Sequence, residues 1–263
     1  EVVKVPASPA GTVAGRLAAQ VDSGTAAVLV SKIFFQNAHI VQGLGELQRT
    51  CQAMGAELLI DVYHALNAIP FSILDEGLQG AFITGGGYKY CQLGEGNCFL
   101  RFPADCRMRP ILTGWFSEFE ALESGSREVV YGRGAARFAG STYDPTSHYR
   151  AAAVFDFFEM WEITPELLRE VSRHQVGLLA DLFDGLDADP GVIQRERQVD
   201  LANVAGFLAF QTPYAQEIHA RLRERGLLTD YRLDTLRLGP APYLSDDQLR
   251  EAMGILWEVV KSI

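Results

Sequence analysis

The chain has 263 residues, 48% of them hydrophobic, with a formal net charge of -10 and a sequence pI near 5.0. So acidic a chain argues against nucleic acid or an anionic membrane surface as a partner, while leaving room for a local basic pocket. No run reaches the about 18 uninterrupted apolar residues of a membrane span and nothing at the start reads as a signal peptide, so the expected compartment is cytoplasmic.

In chain order, Glu1-Val-Val-Lys-Val5 reads as a strand, and a helical stretch is expected from about Pro9 to Val21. A strand over Ala26–Val30 follows, then a helix over about Val41 to Met54 with Leu44, Leu47, Cys51 and Met54 on one face. Leu58–Ile60 and Ala81–Ile83 are short apolar runs with turn residues behind them, the pattern of strands buried on both faces of a sheet. Strand alternating with helix predicts a parallel sheet with right-handed crossovers, whose ligands bind beyond the carboxyl ends of the strands.

Those ends carry the chemistry. The first run delivers Asp61 and His64, and the second delivers Tyr88 and Lys89 after Gly85-Gly-Gly87. A carboxylate and a lysine held this way suit pyridoxal phosphate (PLP): the lysine forms the Schiff base, and the carboxylate keeps the pyridine nitrogen protonated so that the ring accepts a carbanion's electrons. Taken singly, an Asp behind a strand also serves as a turn former or helix cap, and a Lys beside aromatics as a surface residue with a packed stem. The case rests on their arriving together, each behind a buried strand.

Further on, Asn97–Phe102 reads as a strand, 103–110 as loop, and Ser147–Trp161 as a helix with Ala151, Val154, Phe155 and Phe158 facing inward. A boundary near Ile163 divides the chain into residues 1–162 and 163–263. Thr164-Pro165-Glu166 opens a helix to about Phe183, and Gly206–Phe210 is a strand. Thr212-Pro213 starts a helix that Gly226 closes, and Leu227-Leu228 and Leu236–Leu238 are short strands. Ser245-x-x-Gln248 is a capping box before a last helix with Leu249, Ala252, Met253, Leu256 and Val260 inward. Arg237, between two leucines of a strand, suits bidentate capture of a carboxylate; the alternative is a structural ion pair with Asp230 or Asp234. Cys51, Cys91, Cys98 and Cys106 show neither zinc-ligand spacing nor the density of a disulfide scaffold, so no metal is expected.

Asp61-x-x-His64-Ala65 and Tyr88-Lys89-Tyr90 with Gly94 and Gly96 resemble the kynureninase-like branch of the class V aminotransferases, which are fold type I PLP enzymes. The resemblance continues in family order through Gly114-Trp115-Phe116, Arg137-Phe138 with Ser141-Thr142, Arg225-Gly226, Asp230-Tyr231-Arg232 and Leu236–Gly239. It implies an α/β fold: the second half of a fold type I large domain over 1–162, then a small α+β carboxyl-terminal domain over 163–263. It implies that Lys89, Asp61 and His64 are catalytic, that Tyr88, Trp115 and Thr142 also bind the cofactor, and that Arg237 binds the substrate. Trp115 and the loop around Thr142 would reach the site of the other subunit of a homodimer.

The expected reaction is hydrolytic Cβ–Cγ cleavage of a kynurenine-type amino acid. The alternatives are a class V aminotransferase, a cysteine desulfurase or β-lyase, and a non-catalytic subunit that retains the fold. Two departures from the family's pattern keep these open: Phe34 stands where relatives place a polar residue, and Ser117-Glu118 where they continue with Gly-His. Relatives also carry a segment ahead of Glu1, so the chain reads as amino-terminally incomplete, or as one to which another chain supplies that segment.

Overall fold

The structure is a computed structural model and describes residues 1–123 and 128–263. Its first sheet runs β1 (Ala27–Ser31), β2 (Glu57–Asp61), β3 (Phe82–Gly86) and β4 (Cys98–Arg101), paired in that order. The first three strands are parallel and β4 is antiparallel to β3. Ahead of β1 lies a short helix α1 (Val13–Ala18), and α2 (Leu44–Met54) makes the crossover from β1 to β2. Leu44, Leu47 and Cys51 of α2 share one buried cluster with Val28, Val30, Leu58, Ile60 and Ile83. Because side chains alternate along a strand, Leu29 then points to the other face of β1, where it is 69% exposed.

Helix α3 (Thr146–Met160) follows the first sheet, and α4 (Pro165–Asp184) follows α3. The second sheet is wholly antiparallel, in the order β5 (Gln194–Arg195), β6 (Leu208–Gln211), β8 (Thr235–Leu238), β7 (Asp230–Arg232). Helix α5 (Ala215–Glu224) joins β6 to β7, and α6 (Asp246–Val260) ends the chain's regular structure. Local signals set these boundaries. Thr164 Oγ1 accepts from Leu167 N–H at 3.2 Å with Pro165 in the first turn, and the Ser245/Gln248 capping box closes in both directions.

Backbone bonds join the segment after β1 to the segment before β6: Ala205 N–H donates to Ala38 O at 2.8 Å and Ile40 N–H to Asn203 O at 2.9 Å. One buried apolar cluster accordingly spans both sheets, from Val13–Ile83 to Val176–Val260, and a second, small one holds Cys91, Leu93 and Ala151. No helix among the described residues is long and apolar enough to cross a membrane, and those residues form no group of three or more His, Cys, Asp or Glu able to hold a metal ion.

Three expectations are corrected. Glu1–Val5 forms no strand: no neighbour among the described residues pairs with it, and Val2 and Val3 are exposed. Leu227-Leu228 is not a strand either, since the chain enters the sheet only at Asp230. Of the α3 residues expected to face inward, Ala151 is buried and Val154 packs against its cluster, but Phe155 is exposed.

Candidate active site

The carboxyl ends of β2 and β3 lie side by side, with Asp61 in register with Ser31 on one side and Thr84 on the other. Asp61 is held from two directions: Ser31 Oγ donates to its Oδ2 at 3.0 Å, and Tyr63 N–H donates to its Oδ1 at 2.9 Å. Beyond Asp61 the chain turns tightly, Ala65 N–H bonding Val62 O at 2.8 Å, which carries His64 off the strand end. Beyond β3 the chain turns at Gly87, whose O accepts from Leu93 N–H at 2.9 Å. A Cβ on Gly87 would lie 2.1 Å from Leu93 Cδ1, so a side chain here would force this turn and Leu93 to shift.

The two turns bring Lys89 Nζ to 2.7 Å from His64 Nε2. Both groups face a cavity of about 490 Å³ that opens between the strand ends and the second sheet. Its wall includes Tyr90, Phe207, Asp230 and Arg237, with Leu168, Ser172 and Gln175 contributed at successive turns by α4. Gln175 pins the cover of the cavity, donating to Ala241 O at 2.9 Å and Leu244 O at 3.1 Å.

Burial and charge set the protonation of the pair. Burial, and then the positive charge of Lys89, lowers His64 to about 4 against a partial opposing pull from Asp61, so its imidazole is neutral near pH 7. Burial, followed by the Arg237 guanidinium, lowers Lys89 below the ordinary lysine value, with Asp61 again opposing. With Nε2 unprotonated, His64 accepts a hydrogen bond from the Lys89 ammonium. Burial pushes the Tyr90 phenol up to about 12, so it remains a neutral hydroxyl.

No family model matches the chain. It is similar to a kynureninase of Deinococcus radiodurans, 28% identical over 207 residues, which cover 76% of this chain and 49% of that enzyme. The chain thus spans about half the length of the curated relative it matches. Among solved structures, a cysteine desulfurase of Thermococcus onnurineus superposes with a TM-score of 0.77 at 16% identity, over 100% of this chain and 66% of that one. A cystine C-S lyase in complex with cysteine persulfide gives a TM-score of 0.77 at 16% identity, over 96% of this chain and 67% of the lyase. A cysteine desulfurase of Escherichia coli gives 0.73 at 13% identity, over 95% and 63%. The chain has the fold of these structures, that of fold type I PLP enzyme domains.

Within this fold type I framework, the residues singled out from the sequence divide into two groups. His64, Lys89 and Arg237 line one cavity, and Asp61 stands close enough to act electrostatically on the first two. Tyr88, Trp115 and Thr142 do not line it. Tyr88 is exposed, packed on Tyr63 with ring centroids 5.6 Å apart, and its ring centroid lies 5.5 Å from Lys89 Nζ. Trp115 belongs to an aromatic cluster with Phe116 and Phe119, and Thr142 is exposed.

The two departures from the family pattern have local explanations. Phe34 packs against the core, Gln36 donates to Thr235 Oγ1 at 3.4 Å, and Asn37 accepts from His39 N–H. Ser117 is fully buried and donates to Gly114 O at 2.7 Å, so it closes its own loop. Arg237 bonds Asp230 and the carbonyl of Phe35, with its guanidinium 5.3 Å from the Phe207 ring centroid.

Sequence reasoning missed Ser31, Tyr90 and Phe207. The signal for Ser31 is its place at the end of the strand next to Asp61 in register. Tyr90 and Phe207 both line the cavity, and Gly206, next to Phe207, lies against Tyr90, where a Cβ would fall 2.4 Å from the ring. Nothing local in the sequence announces that contact.

Proposed function

We propose that the chain binds PLP through Lys89 and acts on an amino acid, with kynureninase-type hydrolytic Cβ–Cγ cleavage as the leading reaction. The observation that carries the reading is the Lys89 Nζ to His64 Nε2 contact of 2.7 Å, in a cavity between the strand ends and the second sheet. The residues fit the group chemically: an amine with a lowered pKa is a better nucleophile toward an aldehyde, and a carboxylate with two fixed hydrogen bonds suits a ring N–H. When bound, PLP would supply an electron sink for a substrate carbanion.

The chain's own residues would then divide the work. His64 orients Lys89 by accepting its proton in a hydrogen bond, and with its pKa near 4 it does not retain that proton. Lys89 Nζ, its pKa lowered by burial and the nearby Arg237, would hold and return a proton at the substrate Cα. Asp61 is kept in one orientation by Ser31 and by the Tyr63 backbone, which removes the reorganisation cost of facing the ring nitrogen. Arg237, set by the Phe35 carbonyl and the Phe207 ring, receives the substrate carboxylate. The Pro240–Leu244 segment, tied to α4 through Gln175, limits water above the site.

The same Lys89 and Asp61 would serve an aminotransferase, a desulfurase or another β-lyase, and a retained fold without turnover is the remaining reading. Product analysis with kynurenine, alanine and cysteine separates them: anthranilate and alanine from kynurenine support the leading reaction, and sulfide from cysteine refutes it. In the same reading, residues 1–162 form the cofactor domain and 163–263 the smaller one, and the protein works in a reducing, cytoplasmic compartment, consistent with four unpaired cysteines.

We also infer an assembly that is at least dimeric, with Trp115 and the loop of Thr142 facing the neighbour's site and Tyr88 near the cofactor phosphate. A compact monomer of 28.9 kDa exposes about 11,400 Å². This chain exposes 15708 Å², an excess of about 4,300 Å², more than the about 1,000–2,500 Å² that each partner of an obligate interface commonly buries. The exposed Phe155, Phe157, Met160 and Trp161 at α3 lie where a second chain, or a chain supplying further sheet and helix, would cover them. Sedimentation of a cofactor-bound, active monomer would contradict this.

A further inference from the structure

Arg237 lies in β8 directly opposite Asp230 of β7, and its side chain is 11% exposed. One terminal nitrogen donates to the Phe35 carbonyl and the other to Asp230 Oδ2. Both arms of the fork that would receive a substrate carboxylate are therefore committed. Asp230 itself lines the cavity, and its second oxygen accepts from Arg232 Nη1 at 2.8 Å. Asp230 and Arg232 are two residues apart on one strand, so their side chains share a face. Arg232 and Asp230 are about half exposed. The carboxylate thus stands between an enclosed cation facing the cavity and an exposed cation facing solvent.

We propose that Asp230 is a resident carboxylate that occupies the Arg237 fork until a substrate carboxylate displaces it onto Arg232. The proposal rests on the reading of Arg237 as the substrate-carboxylate site. The exchange leaves no carboxylate unpaired, because Arg232 keeps hold of the oxygen it already bonds. It also leaves Arg237 in place, because the Phe35 carbonyl and the Phe207 ring position the guanidinium independently of Asp230. Its effect is to keep a buried cation paired while the cavity is empty and to require that an incoming ligand offer a carboxylate. A positioning residue of this kind lowers apparent affinity by the fraction of time it holds the fork.

The test is calorimetric titration of the purified full chain with sodium propionate, a carboxylate without an amino group, so that the result does not depend on turnover. Asp230→Asn should bind propionate about tenfold tighter than the unmodified chain, and Asp230→Glu should return to the starting affinity. Arg232→Gln, at an exposed position that tolerates change, should bind a fewfold weaker because Asp230 loses its second partner. Arg237→Gln should lose binding. If Arg237→Gln loses binding while Asp230→Asn is no tighter, the displacement fails and the carboxylate site stands; should Asp230→Asn not fold, unchanged or tighter binding by Arg232→Gln overturns the displacement. If Arg237→Gln still binds propionate, the reading of Arg237 fails and the proposal falls with it.

Discussion

Gly87→Ala puts a methyl into the turn that carries Lys89 to His64. The added Cβ would lie 2.1 Å from Leu93 Cδ1, 2.5 Å from Cγ and 2.9 Å from Leu93 Cβ. A rotamer change could move the first two atoms. It cannot move Cβ, so the backbone of the turn has to shift. Leu93 is 4% exposed and Cys91 8%, both in a small cluster with Ala151, so the shift is resisted by packed neighbours. Overpacking of this kind costs about 1–3 kcal/mol. Urea unfolding of Gly87→Ala should therefore show a stability lower by that amount, with the m-value unchanged. Leu93→Ala alone should cost about 2–5 kcal/mol through the cavity it leaves. The double variant should fall short of the sum by at least about 1 kcal/mol, because truncation removes the two nearer contacts, at 2.1 and 2.5 Å, and leaves only the one at 2.9 Å with Cβ. A Gly87→Ala chain within about 0.5 kcal/mol of the parent, or strict additivity in the cycle, would refute the account of this turn.

Two further outcomes follow from the charged groups. His64 has a folded pKa lowered from 6.5 to about 4, so between those values the unfolded chain binds more protons and stability falls as pH drops from about 6.5 to 4. His64→Gln should lose less over that interval, which paired unfolding curves at pH 7 and pH 4.5 would reveal; identical losses would contradict the neutral buried imidazole. Lys32, 5% exposed, pairs with Glu76 at 2.6 Å and bonds Val41 O, so Lys32→Met should cost about 2–3 kcal/mol by leaving Glu76 half-buried and unpaired. Adding Glu76→Leu should restore most of it, and a double variant no better than the single would argue against the pair.

Legibility from sequence followed the range of the interactions involved. The strands that deliver Asp61 and Lys89, the Thr164 cap and the Ser245 capping box are written in residues within a few positions of one another, and each appears where its pattern puts it. Glu1–Val5 has the composition of a strand, but a strand is completed by a neighbour's hydrogen bonds, and none is present among the described residues. Helix α3 carries apolar residues around much of its circumference, so periodicity could not say which side would be covered, and most of them are exposed. The commitment of Arg237 to Asp230 and the Phe35 carbonyl depends on strand register and on a contact 202 positions away along the chain. The enclosure of Tyr90 by Gly206 depends on how the two sheets meet. Such features lie outside what local pattern encodes.

The claim on which the functional reading stands is that Lys89 is the residue that takes PLP. The most direct measurement is borohydride reduction of the chain after incubation with PLP, followed by peptide mass analysis over Lys4, Lys32, Lys89 and Lys261. The account predicts one stable PLP-sized addition, on the peptide containing Lys89, and its loss in Lys89→Ala. An addition on Lys32, Lys4 or Lys261 that persists in Lys89→Ala, with none on Lys89 in the parent, would contradict it.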